Sequence, residues 1–227
     1  MVITVDGPAA AGKSTVARAL ARRLGYSYLD TGAMYRAATW KALAAGVDLR
    51  DPAALAGAVA DSRIELLAAE DGTRVLCDGR DVTAEIRSPQ VTRNIYRLAD
   101  QPAVRKMLIE QQRAFATGRD LVVEGRDQGT EVFPDAVVKF YLDASLEVRS
   151  RRRLKDMAGA EEALPKVMDQ VAERDARDRA RPMGALRQEQ DMVRIDSTDM
   201  SVEQVVEAML EQIGRRRLES QGAPTER

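Results

Sequence analysis

The sequence predicts an α/β fold, a parallel sheet covered by helices on both faces, and three observations carry that prediction. Short apolar, β-branched runs alternate with helical patterns from the first residues onward. A glycine-rich turn stands between the first such run and the first helix. The chain has 227 residues, 44% hydrophobic and 31% charged, which suits one substantial globular domain with small insertions.

Taken in order, MVITVD is the first strand, and AAGKSTVARALARRLG a helix with apolar residues at helical spacing and a terminal Gly25. YSYLD reads as a second buried strand. TGAMYRAATWKALAAG is a helix with Thr31 at its start and Gly46 at its end. The pattern changes near residue 61, where RIELLAAEDGTRVLCDGRDVT alternates and offers EDGT and CDGRD as turns, the mark of a small antiparallel insertion. A helix then starts at SPQV, with Ser88 as N-cap and Pro89 in the first turn, and QPAVRKMLIEQQRAFATG is a longer helix ending at Gly118. The core resumes with LVVEG and VVKFYLD as central strands. Two Arg-rich helical stretches surround DMAGAEEALP, and MVRIDST is a last strand. SVEQVVEAMLEQIG is the last helix, with a capping box of Ser201 and Gln204. The tail after residue 213 is expected to be disordered.

Composition removes several chemistries. Histidine is absent, which excludes a histidine base, a histidine triad and histidine metal ligands. The single cysteine, Cys77, cannot form an intrachain disulfide. Lys+Arg at 35 against Asp+Glu at 36 argues against a general nucleic-acid or membrane binder. No apolar run reaches membrane-span length and none stands at the N-terminus as a leader, so a cytoplasmic protein is expected. Most of the positive charge is arginine, suited to bidentate recognition of phosphate and carboxylate, although a GC-rich genome explains the bias equally well.

GPAAAGKS, residues 7–14, matches G-x-x-x-x-G-K-[ST] between a predicted strand and a predicted helix. Gly7 and Gly12 let the backbone bend until several N–H groups face one phosphate, and the following helix adds its positive end. The loop from Gly7 through Pro8, Ala9, Ala10, Ala11, Gly12, Lys13, Ser14 and Thr15 is therefore the expected ATP site. Lys13 would reach the β- and γ-phosphates and the Ser14 hydroxyl would ligate Mg²⁺. There is no N-K-x-D guanine-reading motif, and the nearest candidate for an acidic strand end is Glu124. A small kinase suits these features better than a GTPase or a motor ATPase.

DGPAAAGKST, LDTGAMYR, EGRDQGTEVFPDA and ERDARDRARP stand in this order over residues 2–213, and together they resemble bacterial-type cytidylate kinases. The resemblance implies a P-loop NTPase-type core (1–60, 99–148 and 182–213), a monophosphate-binding insertion (61–98) and a helical lid (149–181), with the tail at 214–227 left over. It implies transfer of phosphate from ATP to CMP or dCMP with Mg²⁺, by a monomer. It also implies roles for particular residues. Thr31 lies near the cytosine, Arg36 holds the CMP phosphate, and Arg105 lies near base and phosphate. Asp127 accepts from the cytosine amino group, Arg126 meets the transferring phosphate, Arg174 and Asp178 meet the ribose, and Arg181 meets the phosphates. Lys13, Arg126, Arg152, Arg153 and Arg181 form the expected catalytic set, with Arg149 and Arg174 as further lid arginines. Without a ligand in view, Arg36 and Arg105 also read as surface cations, and ERDARDRARP as a solvated helix. On that helix Arg174, Arg177, Asp178 and Arg181 share one face, while Asp175 and Arg179 pair on another.

Two positions depart from the family pattern. Glu124 stands where an aspartate is usual, reaching Mg²⁺ through water, and Tyr96 stands where a serine helps read cytosine. Base selectivity is where this chain is expected to differ. A kinase with UMP, AMP or a non-nucleotide acceptor remains the alternative, with a nucleotide-dependent switch behind it.

Overall fold

The structure, a computed structural model, describes residues 1–69, 72–157 and 163–222. The start of the EDGT turn, the AGAEE stretch of the expected lid and the last five residues lie outside the described residues. The chain divides into two compact units, one made of Met1–Tyr28 with Gly118–Arg227 and the other of Leu29–Thr117.

The first unit begins with β1 (Val2–Asp6), in which Ile3 and Val5 point to one face and Thr4 and Asp6 to the other, all four inaccessible to solvent. Burial on both faces is what a central parallel strand demands. After the loop, α1 (Lys13–Leu24) turns Val16, Ala17, Leu20 and Ala21 inward and stops at Gly25, whose φ of 69° closes the helix by donating to Ala21 and Arg22 carbonyls. Strand β2 (Ser27–Asp30) then leads into the second unit.

In that unit α2 (Thr31–Ala44) is capped by Asp30, whose carboxylate accepts from Ala33 N at 2.9 Å. The cap is thus Asp30, the last strand residue, and Thr31 is already helical; a carboxylate outcompetes the hydroxyl for the free N–H groups. Next come α3 (Pro52–Val59), β3 (Ile64–Ala69), β4 (Gly72–Cys77) and the two-residue β5 (Arg80–Asp81). The three strands form an antiparallel sheet in sequence order. CDGRD is the turn between β4 and β5, with Asp78 and Gly79 both at positive φ (52° and 79°), as a two-residue hairpin requires. Helix α4 (Pro89–Ala99) starts at Ser88, whose hydroxyl accepts from Val91 N, and α5 (Pro102–Ala116) completes the unit. The insertion expected at 61–98 is therefore part of a larger unit that begins at Leu29. Helical periodicity is the same whichever body a helix packs into, so the pattern in α2, α3 and α5 carries no boundary.

The chain returns to the first unit with β6 (Leu121–Gly125), a π-helical turn at Gln128–Val132, and β7 (Val138–Asp143). Helices α6 (Leu146–Asp156) and α7 (Leu164–Ala180), strand β8 (Val193–Asp196) and α8 (Val202–Gly222) follow. The sheet order is β2-β6-β1-β7-β8, with β1 parallel to both β6 and β7, and β8 parallel to β7. One face is sealed by Val16, Ala17, Leu20 and Ala21 of α1 with Val205, Val206, Met209 and Ile213 of α8. Removing the Leu20 side chain from that layer would cost about 2–5 kcal/mol. Ser201 and Gln204 form the expected capping box at the start of α8. That helix runs on to Gly222, so residues 214–222 are helical where the sequence predicted disorder. RRRLES has good helix formers and a preformed helix to extend, which spares it the cost of nucleation.

Candidate functional site

At the carboxyl end of β1 the chain turns through the glycine loop. Gly7 has φ 151°, and a Cβ there would lie 2.0 Å from the Leu142 carbonyl oxygen of β7, so no other residue fits. Gly12 precedes α1 with φ 92°, and Ala10 between them holds a left-handed φ of 58°. Lys13, only 6% exposed, donates from Nζ to the Pro8 carbonyl at 2.7 Å. Burial, then the nearby Arg126 and Arg174 charges, push its pKa down to about 7, against the opposing pull of Glu124 and Asp178. A cation held against burial and two like charges is one that an added polyanion would stabilise.

The other cations are arranged around Asp178 of α7. Its carboxylate accepts from Arg126 Nε at 2.7 Å and pairs with Arg181 at 2.7 Å. Burial pushes the Asp178 carboxyl up, but Arg126, Arg181 and Arg174 together hold it below the usual carboxylate range. For Arg126 the balance has the same form: burial opposes its charge, Asp178 more than offsets it, and the net shift is upward. Helix α7 ends at Ala180, and Arg181 is extended (ψ 137°) because Pro182 excludes the helical region for the residue before it. Arg177, expected among these arginines, turns instead to Glu173 at the surface, 2.9 Å away. Arg126, arriving from the end of β6, takes its place.

Asp127 is buried beside Arg126 and starts the π-helical turn, accepting from the Gln128 side chain at 3.3 Å. That turn is anchored by Asp6, the last residue of β1. Its two oxygens accept from Gln128 N at 3.0 Å and Gly129 N at 2.8 Å. Complete burial raises its pKa to about 6, the two N–H groups oppose the rise, and Asp127 adds to it. The signal in the sequence is an acid closing an apolar strand.

Glu124 is buried at the end of β6 and accepts from the Tyr28 hydroxyl at 2.7 Å. Among the described residues no group of three or more carboxylates, cysteines or histidines is gathered to hold a metal. Mg²⁺ typically keeps several waters and is shared between one or two protein groups and substrate phosphates. A hydroxyl at the start of α1 and one buried carboxylate, Ser14 and Glu124, are donors of that kind.

The α6 arginines face the loop. Arg149, expected among the lid cations, is buried, with Nε donating to Ala144 O at 2.9 Å and a terminal nitrogen 2.6 Å from Asp175 and 3.1 Å from Ala9 O. Asp175 also accepts from Ala9 N at 2.9 Å. The expected Asp175–Arg179 pair on a solvated face is therefore replaced by a buried pair with Arg149, because packing of α7 on α6 turns Asp175 inward. Arg152 donates to Ala11 O at 3.0 Å and to Ser197 O at 2.8 Å, and burial lowers its pKa. Arg153, one position on, is half-buried.

In the second unit, Thr31 is buried in the first turn of α2. Arg36 donates to Ile86 O at 3.2 Å and Thr92 Oγ1 at 2.9 Å. Arg105, readable from sequence as a surface cation, is only 2% exposed, donates to Ala99 O at 3.3 Å and lies 5.8 Å over the Tyr35 ring. Tyr96 on α4 is half-buried, with Arg97 5.2 Å over its ring.

Known proteins resemble this chain over nearly its whole length. A model of the cytidylate kinase family matches residues 3–215. The cytidylate kinase of Geobacillus kaustophilus (strain HTA426) is 47% identical over 216 residues, 94% of this chain and 96% of that protein. That of Rhodopirellula baltica is 46% identical over 212 residues, 92% and 91% of the two chains. Among solved structures, an uncharacterized protein from Eubacterium ventriosum aligns with a TM-score of 0.54 at 10% identity, covering 94% of this chain and 98% of that one. Shikimate kinase from Bacteroides thetaiotaomicron aligns at 0.50 and 13% identity, with the same coverage. At these identities the structural likeness is one of fold. No described helix is long and apolar enough to cross a membrane.

Proposed function

Because the chain belongs to the cytidylate kinase family, we propose that it transfers the γ-phosphoryl group of ATP to CMP or dCMP, giving ADP and CDP or dCDP. The observation that carries the reading is the cluster of Lys13, Arg126, Arg174 and Arg181 around Asp178, beside a glycine loop that only Gly7 can turn. Arg126 and Arg174 repel Lys13 against the pull of Glu124 and Asp178, and a triphosphate and a monophosphate would relieve that repulsion.

In this reading the loop from Gly7 to Thr15 cradles the ATP phosphates and Lys13 moves from Pro8 O to the β- and γ-phosphates. Ser14 would hold Mg²⁺ directly and Glu124 through water, and the ion would supply charge neutralisation. A CMP phosphate oxygen is already anionic at neutral pH and needs no strong base, so the absence of histidine is no obstacle. Arg126 and Arg181 neutralise the transferring group, released from Asp178 in part as the phosphates arrive. Arg174 and Asp178 orient the ribose, and Asp127 accepts from the cytosine amino group, a donor that uracil lacks. Thr31, Arg36, Tyr96 and Arg105 complete acceptor recognition, and Arg152 and Arg153 act from α6. The enzyme is expected to be a cytoplasmic monomer that needs neither nucleic acid nor membrane.

ADP release measured with CMP, dCMP, UMP and AMP as acceptors tests the reading. CMP and dCMP should be the best acceptors by at least tenfold in kcat/KM; a preference for UMP or AMP would replace the proposed substrate. Tyr96→Ser should alter the CMP-to-UMP ratio by about fivefold, the worth of roughly one hydrogen bond.

A further inference from the structure

The glycine loop contains a residue in a conformation it does not favour. Ala10 has φ 58° and carries a Cβ, where glycine would enter the left-handed region freely. For alanine that placement carries a penalty worth about five- to thirtyfold in an equilibrium. Something outside the loop must hold it there.

The residue before Ala10 is held at both of its backbone polar groups, and the peptide that joins it to Ala10 is held by its carbonyl. The Ala9 N–H donates to Asp175 Oδ1 at 2.9 Å, and the Ala9 carbonyl accepts from Arg149 at 3.1 Å. The same Arg149 nitrogen is 2.6 Å from Asp175 Oδ2, so the two grips form one buried unit. Its Nε is fixed on Ala144 O, and its partner carboxylate is 2% exposed. One helical turn further along α6, Arg152 donates to the Ala11 carbonyl at 3.0 Å. Two arginines at i and i+3 thus hold alternate carbonyls of the loop.

The geometry has a direct consequence. The carbonyl of Ala9 and the N–H of Ala10 belong to one planar trans peptide and point in opposite directions. Arg149, by holding that carbonyl, orients the peptide plane from which φ of Ala10 is measured. The Ala10 N–H is thereby aimed away from α6, as a phosphate-cradling loop needs.

We propose that the Arg149–Asp175 pair is a positioning device that imposes the strained conformation of Ala10, and so prearranges the loop N–H groups for the donor phosphates. The proposal rests on the reading of this loop as the ATP site, but not on the identity of the acceptor. Neither Arg149 nor Asp175 touches substrate in this account. Asp175 lies between Arg174 and Asp178 on α7, so the helix proposed to orient the acceptor also fixes the donor loop.

The test is a double-mutant cycle between Asp175→Ala and Ala10→Gly, read as the Kd for ATP in magnesium buffer without acceptor, by calorimetry. Asp175→Ala should weaken ATP binding about tenfold in the parent chain. In the Ala10→Gly background, where the left-handed conformation needs no enforcement, the same change should weaken it threefold or less. In steady-state assays Asp175→Ala should raise KM for ATP while kcat at saturating ATP falls less than threefold. An equal loss of ATP affinity in both backgrounds would overturn the proposal, as would a loss shared equally between kcat and KM, the mark of a merely structural role. If Asp175→Ala does not fold, Asp175→Asn, which removes the charge that holds Arg149, is measured in both backgrounds under the same criterion. A chain that binds ATP as described but fails to phosphorylate CMP would sink the proposed function and leave this inference intact.

Discussion

The carboxylate of Asp6 should make the stability of this protein depend on pH in a direction opposite to that of an ordinary salt-bridged acid. Its folded-state pKa is raised from 3.8 to about 6, first by complete burial, with Asp127 adding to the rise. Between those two values the folded chain retains a proton that the unfolded chain has released. Stability is therefore full below about 3.8 and declines as pH rises through 6. At about 1.4 kcal/mol per pH unit the interval amounts to about 3 kcal/mol. Urea unfolding of the parent chain and of Asp6→Asn at pH values from 4 to 8 isolates the effect, since other titrations are common to both. The parent's stability relative to the variant should fall by about 2.5 kcal/mol over that range, most of it below pH 6.5. A difference flat to within about 0.5 kcal/mol would show that Asp6 titrates normally and refute the argument from burial. Near pH 7 the two chains should be of similar stability. The amide removes the desolvated charge but turns an N–H donor toward either Gln128 N or Gly129 N, leaving one buried group unpaired at about 1–3 kcal/mol. That loosened turn follows directly on Arg126 and Asp127, so kcat/KM for CMP should fall in the variant even where stability does not.

Two further outcomes follow from the same geometry. Gly7→Ala would put a Cβ 2.0 Å from a backbone oxygen of a central strand, and should cost more than about 4 kcal/mol and abolish ATP binding; a melting temperature close to the parent's would refute the fit. Arg181→Ala removes one arginine from Asp178 but leaves the Arg126 bond, so the fold should persist by circular dichroism while turnover falls about a thousandfold. Near-normal turnover would remove Arg181 from the catalytic set.

What could be read from the sequence alone is what depends on short range. The phosphate loop, the strand–helix alternation, the β4–β5 hairpin at Asp78 and Gly79, the Ser88 cap and the Ser201–Gln204 box are each specified within a few residues, and each stands in the structure where the pattern predicts it. The four motifs that carry the family resemblance are equally local. Partners were not legible, because they are set by how helices dock. Asp175 and Asp178 lie three residues apart on α7 and look interchangeable in sequence. Packing sends one into the back of the loop with Arg149 and the other toward Arg126 from β6, so that Arg177 is left to pair with Glu173. Asp6 read as the end of a strand until β6 brought the Gln128 and Gly129 amides over it, 122 and 123 residues away. The amino-acid order by itself therefore determined which chemical groups are present and the secondary structure that displays them. The tertiary structure decided which charges are buried together, because desolvation and ion pairing act between surfaces that meet only when the sheet and its helices have closed.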